Sequence, residues 1–171
     1  MGKINVLDKH VAELIAAGEV VERPASAAKE LVENAVDAGA AEIRNGGTTF
    51  LRVTDNGCGI AREDVSLAFL RHATSKISAR NDLDNIGTLG FRGEALASVA
   101  AVAHVELLTR TEEELAGTHY VIDGEGEQAC EDAGCPKGTT LVVRNLFYNT
   151  PARMKFLKKD VTEGNAVAAV V

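Results

Sequence analysis

The segment that begins at Pro24 and ends at Gly39 constrains the fold more than any other part of this sequence. Proline is tolerated in the first turn of a helix and glycine commonly ends one, so the two residues predict a helix between them. With about 100° between successive residues, the apolar side chains fall on one side of this helix, and Glu30, Asn34 and Asp37 fall on the other. One face therefore packs into a core, and the opposite face presents two carboxylates and an amide.

The polar face of this helix has two interpretations. Most such faces on surface helices are simply solvated. Asparagine, however, is a mediocre helix former, and glutamate or lysine would solvate the face better. The amide oxygen of Asn34 is a suitable ligand for Mg²⁺, and Glu30, one turn earlier, would hold a water near that metal and accept its proton.

The rest of the chain predicts helices first, and then strands mixed with helices. This order favours an α+β sandwich over an alternating βαβ fold. Residues 72–92 show no clear period and predict a long loop. The predicted helices are Lys9–Ala17 (capped by Asp8 and ended by Gly18), Glu63–Arg71, Gly93–Ala103, one that begins at Pro151, and a last one with Asp160 and Glu163 as a capping pair. The predicted strands form a hairpin over Ile43–Asp55, with its turn at Asn45-Gly46, and three further strands at Val105–Arg110, Thr118–Asp123 and Thr139–Asn145.

Composition limits the class of protein. The 171 residues are 46% hydrophobic and 25% charged, as expected of one globular domain. No apolar run is long enough to cross a bilayer and no secretory signal opens the sequence, so a cytoplasmic location without membrane contact is expected. Three cysteines and four scattered histidines predict neither a disulfide framework nor a zinc site. A net charge of −7 is unlike that of a dedicated DNA-binding module.

Asp55 ends the apolar face of a predicted strand, where a carboxylate is costly unless a donor reaches it. The exocyclic amine of a purine would be such a donor. Gly57 and Gly59 remove side chains from the following turn, which would let a flat base approach the backbone. The alternative is an ordinary Asx turn, since Asp-Asn-Gly is common turn chemistry.

A glycine-rich loop precedes the helix predicted from Gly93. Backbone N–H groups at a helix start form a ready phosphate site, and Gly90 lies in this loop. Lys76 and Arg92 are nearby cations that would meet phosphate or simply be solvated. The glycine spacing matches neither the dinucleotide fingerprint nor the P-loop, so the loop alone is a weak signal.

Together these segments resemble the GHKL ATPases, the superfamily of type II topoisomerases, Hsp90 chaperones, sensor histidine kinases and MutL-type repair proteins. Within that superfamily the sequence resembles the N-terminal ATPase domain of the MutL family of DNA mismatch repair proteins, over essentially the whole chain. The superfamily motifs are Glu30-x-x-x-Asn34-x-x-Asp37, Asp55-x-Gly57-x-Gly59, the glycine-rich loop and Gly138-Thr139-Thr140; the MutL-type strings are Ile15–Pro24, His72–Ile77, Gly90–Leu96 and Phe147–Arg153.

The resemblance implies a fold and a set of roles. The fold is a two-layer helix-on-sheet sandwich of the GHKL (Bergerat) type, α+β with a mixed, mostly antiparallel sheet, and ATP between the layers. Glu30 is implied as general base and Asn34 as the protein ligand of Mg²⁺. The other residues implied in nucleotide binding are Asp55, Gly57, Gly59 and Thr139 around adenine, the amides of Gly90, Phe91, Arg92, Gly93, Glu94, Ala95 and Leu96 at the phosphates, and Asp37 and Lys76.

The resemblance also implies a lid over residues 72–92 that orders on ATP, an ATP-dependent homodimer, and a mismatch-recognition partner of the MutS type. Two departures stand out. Residues 38–44 look about four residues shorter than in the family, which leaves the first hairpin strand barely four residues long. The family's second domain, which supplies a lysine to the γ-phosphate and much of the DNA contact, is absent, so residues 1–171 are expected to be an ATPase domain truncated at its C-terminus. The only local basic cluster is Arg153, Lys155, Lys158 and Lys159, expected to be a solvated face.

The leading interpretation is a slow, Mg²⁺-dependent ATPase whose ATP state controls the lid and dimerisation in mismatch repair. Two alternatives remain. One is a non-hydrolysing switch in which ATP only drives dimerisation. The other is a different GHKL ATPase, although a histidine kinase would need a phosphoacceptor segment that the residues before Asp8 do not provide.

Overall fold

The computed structural model describes residues 8–38, 42–44, 50–71, 94–158 and 160–169. Within these residues the chain forms helices, a short 3-10 turn at Leu67–Phe69 and the strands of a single sheet. The helices are α1 (Lys9–Val20), α2 (Pro24–Ala38), α3 (Arg62–Val65), α4 (Ala95–Ala100), α5 (Pro151–Met154) and α6 (Asp160–Ala168). The strands are β1 (Glu42–Arg44), β2 (Phe50–Asp55), β3 (His104–Arg110), β4 (Gly117–Asp123), β5 (Gly126–Ala133) and β6 (Gly138–Arg144).

The strands lie in the order β1-β2-β6-β3-β4-β5, and the pairings among these described strands are all antiparallel. The described strand pairs are thus purely antiparallel, whereas the resemblance implied a mixed, mostly antiparallel sheet. Alternate residues of the central strands, such as Leu51, Leu107 and Val143, are buried on one face. Helix α2 packs on β2 and α4 packs on β3, so the core lies between one helix layer and one sheet. The predicted helix-on-sheet sandwich is confirmed.

Helix α1 does not end at Gly18 as predicted but continues to Val20. The presence of glycine at position 18 has a different structural reason. A Cβ at this position would lie 1.7 Å from the Nη2 atom of Arg153, so the guanidinium group of that arginine occupies the space where a side chain would start. The start of the helix agrees with the prediction, because the carbonyl of Asp8 accepts the hydrogen bond from the Ala12 N–H group.

The single helix predicted over Glu63–Arg71 is also wrong. Helix α3 stops at Val65, a 3-10 turn follows, and Leu70 is extended, with φ −83° and ψ 144°. This break places the ring of Phe69 against that of Tyr120 on β4, with 5.2 Å between ring centroids. A tertiary contact therefore overrides the local helical pattern.

The helix predicted over Gly93–Ala103 is shorter than expected, because α4 ends at Ala100. Val102 and Ala103 are fully buried in the turn that leads into β3. The Val102 carbonyl accepts a hydrogen bond from the Phe147 N–H group at 2.6 Å, so this turn is held by the segment after β6 instead of continuing the helix.

The predicted hairpin over Ile43–Asp55 is confirmed in its pairing, with Ile43 opposite Val53. Its turn at Asn45-Gly46 lies outside the described residues, and β1 is only three residues long. The strands predicted at 105–110, 118–123 and 139–145 are each found within one residue of their expected bounds. Strand β5 was not predicted; it lies at the edge of the sheet, has no fully buried residue, and its exposed residues are all polar.

Glu163 was predicted to form a capping pair for α6 with Asp160, whose side chain lies outside the described part of the structure. The Glu163 side chain is fully buried, and Oε1 accepts hydrogen bonds from Arg23 Nη2 and from the Lys158 N–H group, both at 3.0 Å. These bonds link α6 to the residue that precedes α2. A buried carboxylate needs such donors, because the free-energy cost of a carboxylate without partners is far greater in the protein interior than on the surface.

Candidate functional site

The polar face of α2 forms one side of the candidate site. Helix α2 buries Ala27, Leu31 and other apolar residues against the sheet and the neighbouring helices. Glu30, Asn34 and Asp37 are each half-buried, so they lie at the margin of the core instead of on a fully solvated face. A rise of about 1.5 Å per residue places Glu30 and Asn34 roughly 6 Å apart along the helix axis.

The end of β2 and the turn after it form the second side. Oδ1 of Asp55 accepts hydrogen bonds from the Gly57 N–H group at 2.9 Å and from the Thr139 N–H group at 3.2 Å. Burial raises the pKa of the Asp55 carboxyl above its ordinary value, while these two hydrogen bonds act in the opposite direction. The carboxylate is thus both the Asx-turn acceptor and a link between strands β2 and β6.

A close packing of two backbones joins these two sides. A Cβ on Gly57 would lie 1.9 Å from the carbonyl oxygen of Ala38, the last residue of α2. The C-terminal end of α2, which carries Asp37, therefore lies directly against the turn that follows Asp55. The helix and the turn, which are separate in the sequence, form one site.

The glycines of this region are explained by protein packing. Gly59 has φ +76°, and its Cβ would lie 2.2 Å from the carbonyl oxygen of Arg110. Gly138 has φ +111°, and its Cβ would lie 2.2 Å from the carbonyl oxygen of Asp55. Gly57 and Gly59 were predicted to admit a ligand, whereas the atoms that exclude a side chain at these positions belong to the chain itself.

One buried threonine of this site, Thr109, was missed, and a second, Thr118, lies outside the site on the next strand. Thr109 on β3 lies opposite Thr139, and Thr118 on β4 lies opposite Thr109. Both are buried, with exposures of 0% and 2%. The Thr109 hydroxyl accepts a hydrogen bond from the Ile60 N–H group at 2.9 Å and lies 3.0 Å from the Thr139 hydroxyl. The sequence signal is weak, because it consists only of one threonine among the alternate, otherwise apolar buried positions of β3.

The phosphate side of the site is described only in part. Lys76, Gly90, Phe91, Arg92 and Gly93, together with the predicted lid, lie outside the described residues. Glu94 precedes α4, whose first turn contains Ala95 and Leu96, and α4 packs against both α1 and α2. Helix α4 therefore packs beside the helix that carries Glu30 and Asn34.

The predicted basic cluster is not uniformly solvated. Arg153 is half-buried; its Nη1 atom donates to the Val21 carbonyl at 2.8 Å, and its guanidinium group lies over the ring of Phe147. Lys155 and Lys158 are exposed, and Lys159 lies outside the described residues.

Metal, disulfide and membrane features can be described for the same part of the chain. Among the described residues, no group of three His, Cys, Asp or Glu side chains is arranged to hold a metal ion by itself. Cys58, Cys130 and Cys135 are not in disulfides. No helix within the described ranges is both long and apolar enough to cross a membrane.

Comparison with known proteins assigns the family. A family model described as histidine kinase-, DNA gyrase B-, and HSP90-like ATPase matches residues 22–132, which is more than half of the chain. The chain belongs to this ATPase family. The matched range includes α2, the Asp55 turn and Thr109, so the family assignment covers both sides of the site.

Within the family, the sequence is of the MutL type. It is 55% identical to the DNA mismatch repair protein MutL of Agathobacter rectalis, over 100% of this chain and 27% of that protein. It is 57% identical to the MutL of Leuconostoc citreum, over 100% of this chain and 26% of that protein. The chain thus spans about a quarter of the length of the curated relatives it matches.

The lengths of these alignments bear on the shortened segment. Each covers all 171 residues over 175 positions, which leaves four positions without a residue of this chain. The sequence predicts a shortening of about four residues at 38–44, and the three-residue β1 forms the end of that stretch.

Solved structures agree with the assignment. The Aquifex aeolicus MutL ATPase domain complexed with ADP is 33% identical, with a TM-score of 0.69, over 88% of this chain and 54% of that chain. A structure described as the N-terminal domain of a DNA repair protein is 32% identical, with a TM-score of 0.72, over 90% of this chain and 44% of that chain. The fold and the sequence therefore lead to the same relatives.

Proposed function

We propose that this chain binds ATP and hydrolyses it slowly with Mg²⁺, as the nucleotide-binding part of a MutL-type DNA mismatch repair protein. The observation that carries the proposal is the packing of Gly57 against Ala38, which joins the Asp55 turn to the polar face of α2. The similar structure of the Aquifex aeolicus MutL ATPase domain complexed with ADP supports a nucleotide as the ligand of this fold.

The side chains present fit an adenine nucleotide and its metal. Asp55 is an acceptor at the end of a buried strand face, which suits the exocyclic amine of adenine. Asn34 offers an amide oxygen, and Mg²⁺ takes oxygen ligands from protein, phosphate and water together. Such a site needs no closed cage of protein ligands. We assign Thr139, Gly57 and Gly59 to the adenine side, and Asp37, Lys76 and the amides of residues 90–96 to the rest of the nucleotide.

The chemistry requires positioning and one base. Phosphoryl transfer to water depends mainly on in-line placement and on neutralising charge, which Mg²⁺ supplies when bound. Glu30, on the same face as Asn34, accepts the proton of the attacking water. The Asp55 turn holds the adenine end of the nucleotide, and the Glu30 carboxylate on α2 performs the proton transfer.

The ATP state is proposed to act beyond this site. We infer that ATP orders residues 72–92 as a lid and favours a homodimer, and that the protein acts with a MutS-type mismatch-recognition partner in the cytoplasm. Contact with DNA is assigned mainly to parts of the protein other than this chain, which fits its net charge of −7. Protection of residues 72–92 from protease by a non-hydrolysable ATP analogue with Mg²⁺ is the expected sign of the lid.

Glu30→Ala tests the proposal. The variant is expected to lose ATP turnover and to keep nucleotide binding, because the base acts on water and does not hold the ligand. Glu33→Ala is the matched control: Glu33 is on the same helix, 3.7 Å from Lys29, and its loss should leave turnover unchanged. Turnover by Glu30→Ala at the unmutated rate would exclude Glu30 as the base. A wild-type protein that binds ATP without any turnover would favour the non-hydrolysing dimerisation switch.

A further inference from the structure

One row of polar side chains crosses the sheet at the edge of the candidate site. Asp55 on β2 is opposite Thr139 on β6, and Thr139 is opposite Thr109 on β3. Paired residues of neighbouring strands point to the same face, so the three side chains share the helix-covered face of the sheet. We call these three residues the polar row.

Thr109 is the fully buried member of the polar row, and its hydroxyl has three polar neighbours. The Ile60 N–H group donates to Oγ1 at 2.9 Å. Oγ1 donates to the Gly138 carbonyl oxygen at 3.1 Å. The third neighbour is the hydroxyl of Thr139, with 3.0 Å between the two Oγ1 atoms.

The hydrogen count decides the direction of the third bond. A threonine hydroxyl has one hydrogen to donate and two lone pairs to accept with. The Gly138 carbonyl can only accept, so it takes the Thr109 hydrogen. The Ile60 N–H group can only donate, so it takes one lone pair. The remaining lone pair of Thr109 can be satisfied only if the Thr139 hydroxyl donates to it.

With the third bond in this direction, Thr139 has no N–H or O–H hydrogen left to donate to a ligand. Its backbone N–H group donates to Asp55 Oδ1 at 3.2 Å, and its hydroxyl donates to Thr109. Thr139 is half-buried, so the lone pairs of its hydroxyl remain at the margin of the site. Towards a bound base, Thr139 is therefore an acceptor.

We propose that Thr109 is a positioning residue that makes Thr139 an acceptor and so selects a purine with an exocyclic amine over one with a carbonyl at that position. The inference rests on the proposed function and adds a specificity determinant one strand away from the ligand. Asp55 is not sufficient for this selection, because a rotating Thr139 hydroxyl beside it would donate to a purine carbonyl as readily as it accepts from an amine.

The test compares ATP with inosine triphosphate, which carries a carbonyl where adenine carries its amine. Equilibrium binding of both, with Mg²⁺, is measured for the wild type, Thr109→Val, Thr109→Ser and Thr118→Val. Thr109→Val keeps the shape but releases the Thr139 hydroxyl. Its preference for ATP over the inosine nucleotide should fall by roughly 3- to 10-fold, the effect of one neutral hydrogen bond. Thr109→Ser should keep the wild-type preference.

Thr118→Val is the matched control, since Thr118 is a buried threonine of the same face on β4, and β3 separates it from Thr139. It should leave the preference unchanged. If Thr109→Val does not fold, Thr109→Ala at reduced temperature carries the same comparison. An unchanged preference in the Thr109 variants, with both nucleotides weakened equally, would overturn the inference and leave Thr109 a structural residue. A wild type that binds neither nucleotide, or binds both equally, would instead overturn the adenine site itself.

Discussion

The guanidinium group of Arg153 lies against α1 at Gly18, where its Nη2 atom is 1.7 Å from the position of a Cβ on that glycine. Arg153 also donates to the Val21 carbonyl at 2.8 Å and lies 5.7 Å from the ring centre of Phe147. One side chain from the segment after β6 thus holds the junction between α1 and α2. The glycine leaves room for this contact and does not mark a helix end.

This contact predicts that the effect of Gly18→Ala changes sign with residue 153. In the wild type the added methyl group displaces Arg153, and the free energy of unfolding falls. In the Arg153→Ala background the same change is expected to stabilise the protein by up to about 1 kcal/mol, the helix propensity of alanine over glycine. Urea unfolding of the two single variants and the double variant measures this.

Arg153→Ala alone should cost about 1–2 kcal/mol, from one hydrogen bond and one cation–π contact. Lys155→Ala, at an exposed position next to α5, is the control and should change stability by less than about 0.5 kcal/mol. Destabilisation by Gly18→Ala in both backgrounds would show that Arg153 is not the reason for the glycine.

The ion pair between Glu163 and Arg23 predicts a loss of stability in acid. The Arg23 guanidinium and the Lys158 N–H group hold the pKa of Glu163 below its ordinary value, although burial alone would raise it. A carboxyl with a lowered folded-state pKa stabilises the protein above its unfolded-state pKa, and this contribution disappears as the pH falls through the folded-state pKa. Glu163→Gln should therefore be less stable at neutral pH and should lose less stability on acidification.

Urea unfolding of the wild type and Glu163→Gln between neutral and acidic pH checks this expectation. Glu131→Gln, at an exposed position on β5, is the control for removing one carboxylate. Parallel pH profiles for the wild type and Glu163→Gln would mean that the buried pair makes no pH-dependent contribution.

The two tyrosines predict an alkaline titration well above the ordinary range. Burial, followed by the hydrogen bond with Glu127, raises the pKa of Tyr120 to about 12. Burial, followed by the charge of Asp123, also raises the pKa of Tyr148. Because these folded-state values exceed the unfolded one, the stabilising contribution is complete below the unfolded-state pKa and is lost as the pH rises through the folded-state values.

Phenolate absorbance is a clean measurement here, because the chain has two tyrosines and no tryptophan. Tyr148→Phe should leave a single transition at about 12. A phenol of the folded variant that titrates at the ordinary value of 10.0 would contradict the burial of Tyr120 against Phe69.

The elements with strong periodic patterns could be predicted from the sequence. Helix α2 has the predicted bounds because Pro24 and the apolar stripe act together, and the central strands are found within one residue. Strand β5 escaped prediction because an edge strand needs no buried face, so its acidic residues carry no alternation signal. The break at Leu70 and the passage of α1 through Gly18 depend on Tyr120 and Arg153, which are distant in the sequence.

The residues of the candidate site could also be predicted only in part. Asp55 was identifiable because a carboxylate ends an apolar strand face, and Glu30 and Asn34 because they share one face of a helix. Thr109 was not identifiable from the sequence, because a single threonine in a strand is ordinary. Its importance arises only when β6 brings Thr139 opposite it. The packing of Gly57 on Ala38 could not be predicted either, since local patterns do not say which helix covers a turn.

Recognition of adenine by Asp55 is tested by measuring nucleotide binding to the Asp55→Asn variant. The amide oxygen of asparagine can still accept from Gly57 and Thr139, so the turn is retained while the carboxylate is lost. Asp64→Asn, at an exposed position on α3, makes the same change of charge outside the site. Calorimetric titration with ATP and Mg²⁺ should show Asp55→Asn weakened by roughly tenfold or more, the effect of a charge-assisted hydrogen bond, and Asp64→Asn unchanged. Equal ATP affinities for the wild type and Asp55→Asn would show that Asp55 does not recognise adenine.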